Sequence, residues 1–82
     1  MSQQNPDLND TLVFVRVAQA GGFSAAARLM GMPTSTLSVR VSRLEQRLGV
    51  TLLQRTTRRL HLTEAGQTYL AQAARGLEDI LQ

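Results

Sequence analysis

The stretch that decides the fold is Ala27-Arg28-Leu29-Met30-Gly31-Met32-Pro33-Thr34-Ser35-Thr36-Leu37-Ser38-Val39-Arg40-Val41. Ala27 is small where two helices would cross. Gly31, four residues on, takes a left-handed turn without steric cost. Met32 plugs the core, and Leu37 and Val41 hold a second helix against the first. Pro33 fixes the chain for a fresh helix start, which Thr34 or Ser35 can cap. These needs are steric, and together they give the spacing of a helix-turn-helix. An ordinary three-helix bundle would use the same alanine and glycine, so the rest of the chain has to choose between them.

Downstream, the second helix of the pair should run to about Leu48 and stop at Gly49. Its core face, Leu37, Val41, Leu44 and Leu48, falls within about 60° on a helical wheel. The opposite face carries Ser35, Val39, Ser42 and Gln46, flanked by Thr36, Ser38, Arg40 and Arg43. Short hydroxyl side chains let a helix sit deep in a major groove, and an outward valine can meet a thymine methyl. Capping needs only one of Thr34, Ser35 and Thr36, so the surplus favours contact. Arg40 and Arg43 are phosphate clamps or base readers, and both readings stay open.

Beyond Gly49 the pattern changes. Val50, Leu52 and Leu53 are apolar, Gln54 to Arg59 is polar and cationic, and Leu60-His61-Leu62 alternates with period two. This predicts two short strands joined by a basic turn, a wing. Arg58 and Arg59 at its tip suit a narrow minor groove or simply phosphates. Arg55, nearer the base, suits a backbone phosphate or a neighbouring carboxylate. Thr63 should cap a further helix, with Glu64 in its first turn favourable to the helix dipole. Leu70, Ala73, Leu77 and Ile80 or Leu81 form a three-four-three seam. That seam could pack on the domain itself, but a helix so long should leave its distal half for a twin.

Upstream, Asp7 is a plausible cap for a helix over Leu8 to Ala20, with Asp10 three residues on. Leu8, Leu12, Val15 and Ala18 make one apolar row, with Phe14 and Val17 beside it. Gly21-Gly22 ends that helix. Ser24 should cap a short one from Ala25 to Met30. Residues 1–6 read as a flexible tail.

Composition supports the helix-turn-helix. The 82 residues carry a net charge of +3, and all nine basic residues are arginine. Seven of them lie in residues 28–59 against a single acid, Glu45. A basic middle between weakly acidic ends is the footprint of a nucleic-acid binder, and arginine's planar fork suits phosphate and guanine. There is no cysteine and one histidine, His61, so no zinc site and no disulfide is expected. Neither paired carboxylates, a nucleophile with its base, nor a phosphate-cradling glycine loop is present, so an enzyme is not expected and no cofactor is implied. No apolar run approaches the roughly 18 residues of a membrane span, so a cytoplasmic protein without membrane contact is expected.

The run Phe23-Ser24-Ala25-Ala26-Ala27-Arg28-Leu29, then Ser38, Leu44-Glu45 and Leu48-Gly49-Val50, resembles the N-terminal DNA-binding domain of LysR-type transcriptional regulators. So do Leu52-Leu53-Gln54-Arg55-Thr56-Thr57-Arg58-Arg59 and Leu62-Thr63-Glu64-Ala65-Gly66. The resemblance covers about residues 8–82. It implies a mainly α fold: a winged helix-turn-helix of three helices and a two-stranded wing over residues 7–62. A linker and dimerisation helix over 63–82 follows, ending before an effector domain. It also implies a bacterial regulator that binds promoter DNA as a homodimer on an interrupted palindrome, with RNA polymerase a further partner of the full-length protein. Carried over, the groove-reading residues fall at Thr34, Ser35, Thr36, Ser38, Val39 and Arg40, and the wing contact at Arg58 or Arg59. The family usually has arginine where Val39 stands, and serine then glutamine or lysine where Pro33-Thr34 stand. The competing expectation is a winged helix whose basic face docks an acidic protein partner.

Overall fold

The computed structural model describes residues 7–55 and 60–81, with side-chain surroundings described up to residue 76. Four helices and one hairpin follow in order: α1 (Leu8–Ala20), α2 (Phe23–Met30), α3 (Thr34–Leu48), β1 (Leu53–Arg55), β2 (Leu60–Leu62) and α4 (Glu64–Leu81). The strands pair antiparallel in the register Leu53–Leu62, Gln54–His61 and Arg55–Leu60. The wing tip, with Arg58 and Arg59, lies outside the described residues.

Helix α1 starts as expected: the Asp7 carboxylate accepts from the Asn9 amide at 2.7 Å. It ends at Gly21, whose φ of 86° suits glycine and whose amide bonds the Val17 carbonyl. Its inner face agrees with the expected one at Phe14, Val15 and Val17, which are buried, and differs at its start. Leu8 is 56% exposed, and the stripe at the centre of the buried face is Asp10, Val13, Phe14 and Val17. These follow the i, i+3, i+4, i+7 spacing of a helix face, with a carboxylate in its first place.

Two expected caps are corrected. Helix α2 begins at Phe23, so Ser24 lies within its first turn and makes no capping bond. Helix α3 begins at Thr34 with Pro33 as the flanking residue and no side-chain cap. There the Pro33 carbonyl accepts the Thr36 and Leu37 amides. A proline of fixed φ supplies the start that a hydroxyl would otherwise supply. Between α2 and α3 the turn forms as expected: Gly31 has φ 66°, and the Gly31 and Met32 amides both bond the Ala27 carbonyl. The fully buried alanine at this crossing is Ala26, with Ala27 half-buried.

The core gathers Val13, Phe14, Val15 and Val17 of α1, Ala26 of α2, Leu37, Val41 and Leu44 of α3, and Leu52 and Leu53 at the wing root. Helix α4 lies against α1. The Tyr69 ring sits 5.8 Å from Phe14, and its hydroxyl shares a 3.0 Å hydrogen bond with Thr11. Leu70 and Ala73 are half-buried against this same core.

Two polar side chains and one close approach fasten the wing root. Glu45 of α3 accepts the Leu52 and Leu53 amides at 2.8 and 3.1 Å. The Thr63 hydroxyl donates to the Thr51 carbonyl and accepts the Gly66 amide at 2.9 Å, capping α4 as expected. Gly66 then brings α4 so close that a Cβ there would overlap the Leu52 carbonyl oxygen and crowd Leu62. Helix propensity alone would favour alanine at this position by about 1 kcal/mol; the contact dictates glycine.

Gly66→Ala should therefore lower stability by about 1–3 kcal/mol, as overpacking does. In a domain of this size that is a fall of about 4–8 °C in Tm per kcal/mol. Thermal unfolding followed by circular dichroism measures it, and an unchanged or higher Tm would refute the close approach.

Candidate nucleic-acid interface

The expected contact residues from Thr34 to Arg43 lie on α3, and the structure sorts this helix's outer surface into a free ridge and two tethered flanks. The ridge is Ser35, Val39, Ser42 and Gln46. All four are exposed, and Val39 is 61% so. The opposite side of the helix, Leu37, Val41 and Leu44, is sealed in the core. One helix thus carries both jobs, with the division set by its period.

One flank holds Arg40 and Arg43, and both are tied to α1. The Asp10 side chain is fully buried. Its two oxygens take the Nε and Nη2 of Arg43 at 2.9 Å each, a two-bond fork, and one of them also takes Arg40 Nη1 at 3.0 Å. Such charge-assisted bonds are what allow a carboxylate to be buried at all. The guanidiniums stay partly in water, at 28% exposure for Arg40 and 44% for Arg43. Solvent therefore screens the pair and reduces its net contribution to stability. The hydrogen bond from Arg43 is the main force holding the Asp10 carboxyl below its usual range. Burial works against it, and the bond and charge of Arg40 work with it. Ser35, Thr36, Val39, Arg40 and Arg43 together line a shallow depression of about 290 Å³.

The other flank holds Ser38. Its hydroxyl accepts from Arg55 Nη1 at 2.8 Å, and the same guanidinium lies 4.8 Å over the Phe23 ring. Arg55, expected to touch a phosphate or a carboxylate, thus stacks on an aromatic face and bonds a hydroxyl, linking β1, α2 and α3. Thr34 is exposed at the head of the helix, and Thr36 is half-buried. Of the expected dimer residues, Leu70 and Ala73 face the domain's own core. Leu77, Ile80 and Leu81 lie where side chains are not described.

Two participants lie outside the expected contact set. The sequence pattern offers Asp10 only as a residue following the Asp7 cap, although its place in the stripe with Val13, Phe14 and Val17 marks it as buried. Phe23 belongs to a motif that does not mark it as a platform for Arg55. Among the described residues no group of three or more His, Cys, Asp or Glu could hold a metal ion. No described helix is long and apolar enough to cross a membrane.

The Asp10 pairing fixes the sign of an acid response. Its folded pKa lies below the unfolded value of about 3.9, so the stabilisation is fully present above that value. It is lost as pH falls from about 4 through the lowered folded pKa. Asp10→Asn should remove this part of the acid dependence and lower stability near neutrality by about 1–2 kcal/mol. Urea unfolding at pH 7 and at successive pH values below 5 measures both; an identical acid limb in the two proteins would contradict the pairing.

The chain matches the family model described as "Bacterial regulatory helix-turn-helix protein, lysR family" over residues 8–67. An HTH-type transcriptional regulator of Xanthomonas campestris pv. campestris is 59% identical over 63 residues, spanning 77% of this chain and 18% of the relative. The HTH-type transcriptional regulator DmlR of Escherichia coli K12 is 46% identical over 77 residues, spanning 94% of this chain and 25% of the relative. Among solved structures, a CbnR DBD–DNA complex superposes with a TM-score of 0.83 at 36% identity, over 88% of this chain and 83% of that one. Oxidized Corynebacterium glutamicum OxyR gives a TM-score of 0.87 at 33% identity, over 93% and 23%. The chain thus spans about a quarter or less of the curated relatives named here. Helix-turn-helix, wing and the matched residues 8–67 agree, and the chain belongs to the LysR family of bacterial regulatory helix-turn-helix proteins.

Proposed function

We propose that this chain binds double-stranded DNA in a sequence-specific manner and serves transcriptional regulation. It acts as a dimer on an interrupted palindrome, with α3 in the major groove. The observation that carries the reading is the free ridge of α3: a line of hydroxyl, methyl and amide side chains held out of the core between two arginine-bearing flanks. Ser35, Ser42 and Gln46 supply hydrogen-bonding groups for base edges, and Val39 supplies an apolar contact for a thymine methyl. Thr34, Thr36 and Ser38 flank the same surface. Arg40, Arg43 and Arg55 supply positive charge beside it, where phosphates would lie. Arg58 and Arg59 are assigned to the adjacent minor groove. The similarity to a DBD–DNA complex supports this placement.

Dimerisation is assigned to the distal half of α4, through Leu77, Ile80 and Leu81, because the proximal half, with Leu70 and Ala73, already packs on its own domain. Two copies would meet half-sites one helical turn or a multiple apart. RNA polymerase is a partner for the full-length regulator, and the bacterial cytoplasm, where promoter DNA lies, is its place.

Selection of the 82-residue chain on random duplexes, followed by sequencing, tests the whole reading. Paired half-sites spaced by about 10 base pairs or a multiple are expected. So is an affinity that falls with salt at a slope of about −0.9 per phosphate contact. Recovery of no sequence over random duplex at moderate salt would sink the proposal. Leu77→Asp should yield monomers in sedimentation equilibrium at concentrations where the parent chain is dimeric; a variant still dimeric would move the interface elsewhere.

A further inference from the structure

Among the described residues that support α3, Asp10 alone combines full burial, a negative charge and contact with two arginines of the proposed DNA-facing helix. It stands on α1, away from the ridge itself. What it does to the two arginines follows from which nitrogens it occupies. Arg43 has its Nε–Nη2 edge closed by the carboxylate. Arg40 has Nη1 bound to Asp10, while its Nε is buried with no partner among the described residues. Each guanidinium therefore presents only part of its donor fork to solvent, in a fixed position. The carboxylate grips Arg43 side-on, and the Nη1–Nη2 end keeps one N–H on each nitrogen. Asp10 thus orients the guanidinium without using up the end that a duplex would meet.

We propose that Asp10 is a positioning residue for DNA recognition: it holds Arg40 and Arg43 at fixed points on one flank of α3, beside the ridge of Ser35, Val39, Ser42 and Gln46, so that both meet the fitting duplex already oriented. The inference rests on the DNA-binding reading above and adds the source of its selectivity. Two physical effects act together. First, side chains already ordered in the free protein lose less rotamer freedom on binding the duplex that fits them. Second, one buried negative charge offsets one of the two arginine charges, which restrains the indiscriminate attraction of loose cations for any phosphate backbone. Without Asp10 the arginines would swing free. Binding to arbitrary duplex would strengthen, while binding to the fitting duplex would lose its register.

The test compares the 82-residue chain with Asp10→Asn on two fluorescent duplexes: the one returned by the selection and a scrambled version of it. Anisotropy titrations at several salt concentrations give the affinity ratio and the salt slope of each. The Asn variant should show a ratio lower by roughly tenfold, the scale set by two long side chains regaining their rotamers. Its slope on the scrambled duplex should be steeper by up to about one phosphate contact. A purely structural role would lower both affinities by the same factor, leaving ratio and slope unchanged, and that result in a folded variant overturns the proposal. Arg43→Lys provides a second route if Asp10→Asn does not fold. It keeps the charge and cannot make the fork, so a smaller fall in the ratio is expected and an unchanged ratio refutes the idea. A parent chain with no preference between the two duplexes would overturn the DNA reading itself, and this inference with it.

Discussion

A carboxylate buried without a cation would be neutralised or would unfold the site around it. The position of Asp10 in the central stripe of α1 therefore places a demand on whatever packs against that stripe. Helix α3 meets the demand with Arg40 and Arg43. The close packing of Leu37, Val41 and Leu44 sets the rotation of α3 about its own axis, and the three hydrogen bonds to one carboxylate favour the same rotation. The outward line of Ser35, Val39, Ser42 and Gln46 takes its direction from both.

The second flank of α3 is tied by a different chemistry. Ser38 meets Arg55, which in turn lies over Phe23, so the wing's first strand, the short helix and the long one converge on a single guanidinium. Below them Glu45 holds the wing root by two amides, and Thr63 with Gly66 seats α4 against Leu52. A domain of 82 residues has a limited apolar core. Here the polar side chains do much of the orienting that a larger core would do by shape alone.

The sequence made the helix-turn-helix legible because its requirements are local. Gly31 must turn, Met32 must plug, and Leu37, Val41 and Leu44 must repeat at helical spacing. The hairpin was legible from the change of period around Leu60-His61-Leu62, and the Thr63 cap from its place before Glu64. What escaped notice was nonlocal or atypical. An acidic residue in an apolar stripe breaks the hydrophobic count, so the row through Leu8 looked better than the true face through Asp10. The caps at Ser24 and at Thr34 or Ser35 follow residue preference, and the backbone chooses otherwise: α2 begins two residues earlier, and Pro33 starts α3 unaided. Nothing in spacing alone could bring Arg55 to Phe23, since 32 positions separate them.

That unaided start has its own consequence. With Pro33 setting the backbone, Thr34 and Ser35 owe nothing to the folding of the helix they lead, and among the described residues their hydroxyls have no hydrogen-bond partner. Positions free of structural duty can vary without cost to the scaffold. A lineage of such regulators could therefore drift toward new operators by rewriting the tip of the rod, while the proline keeps its aim.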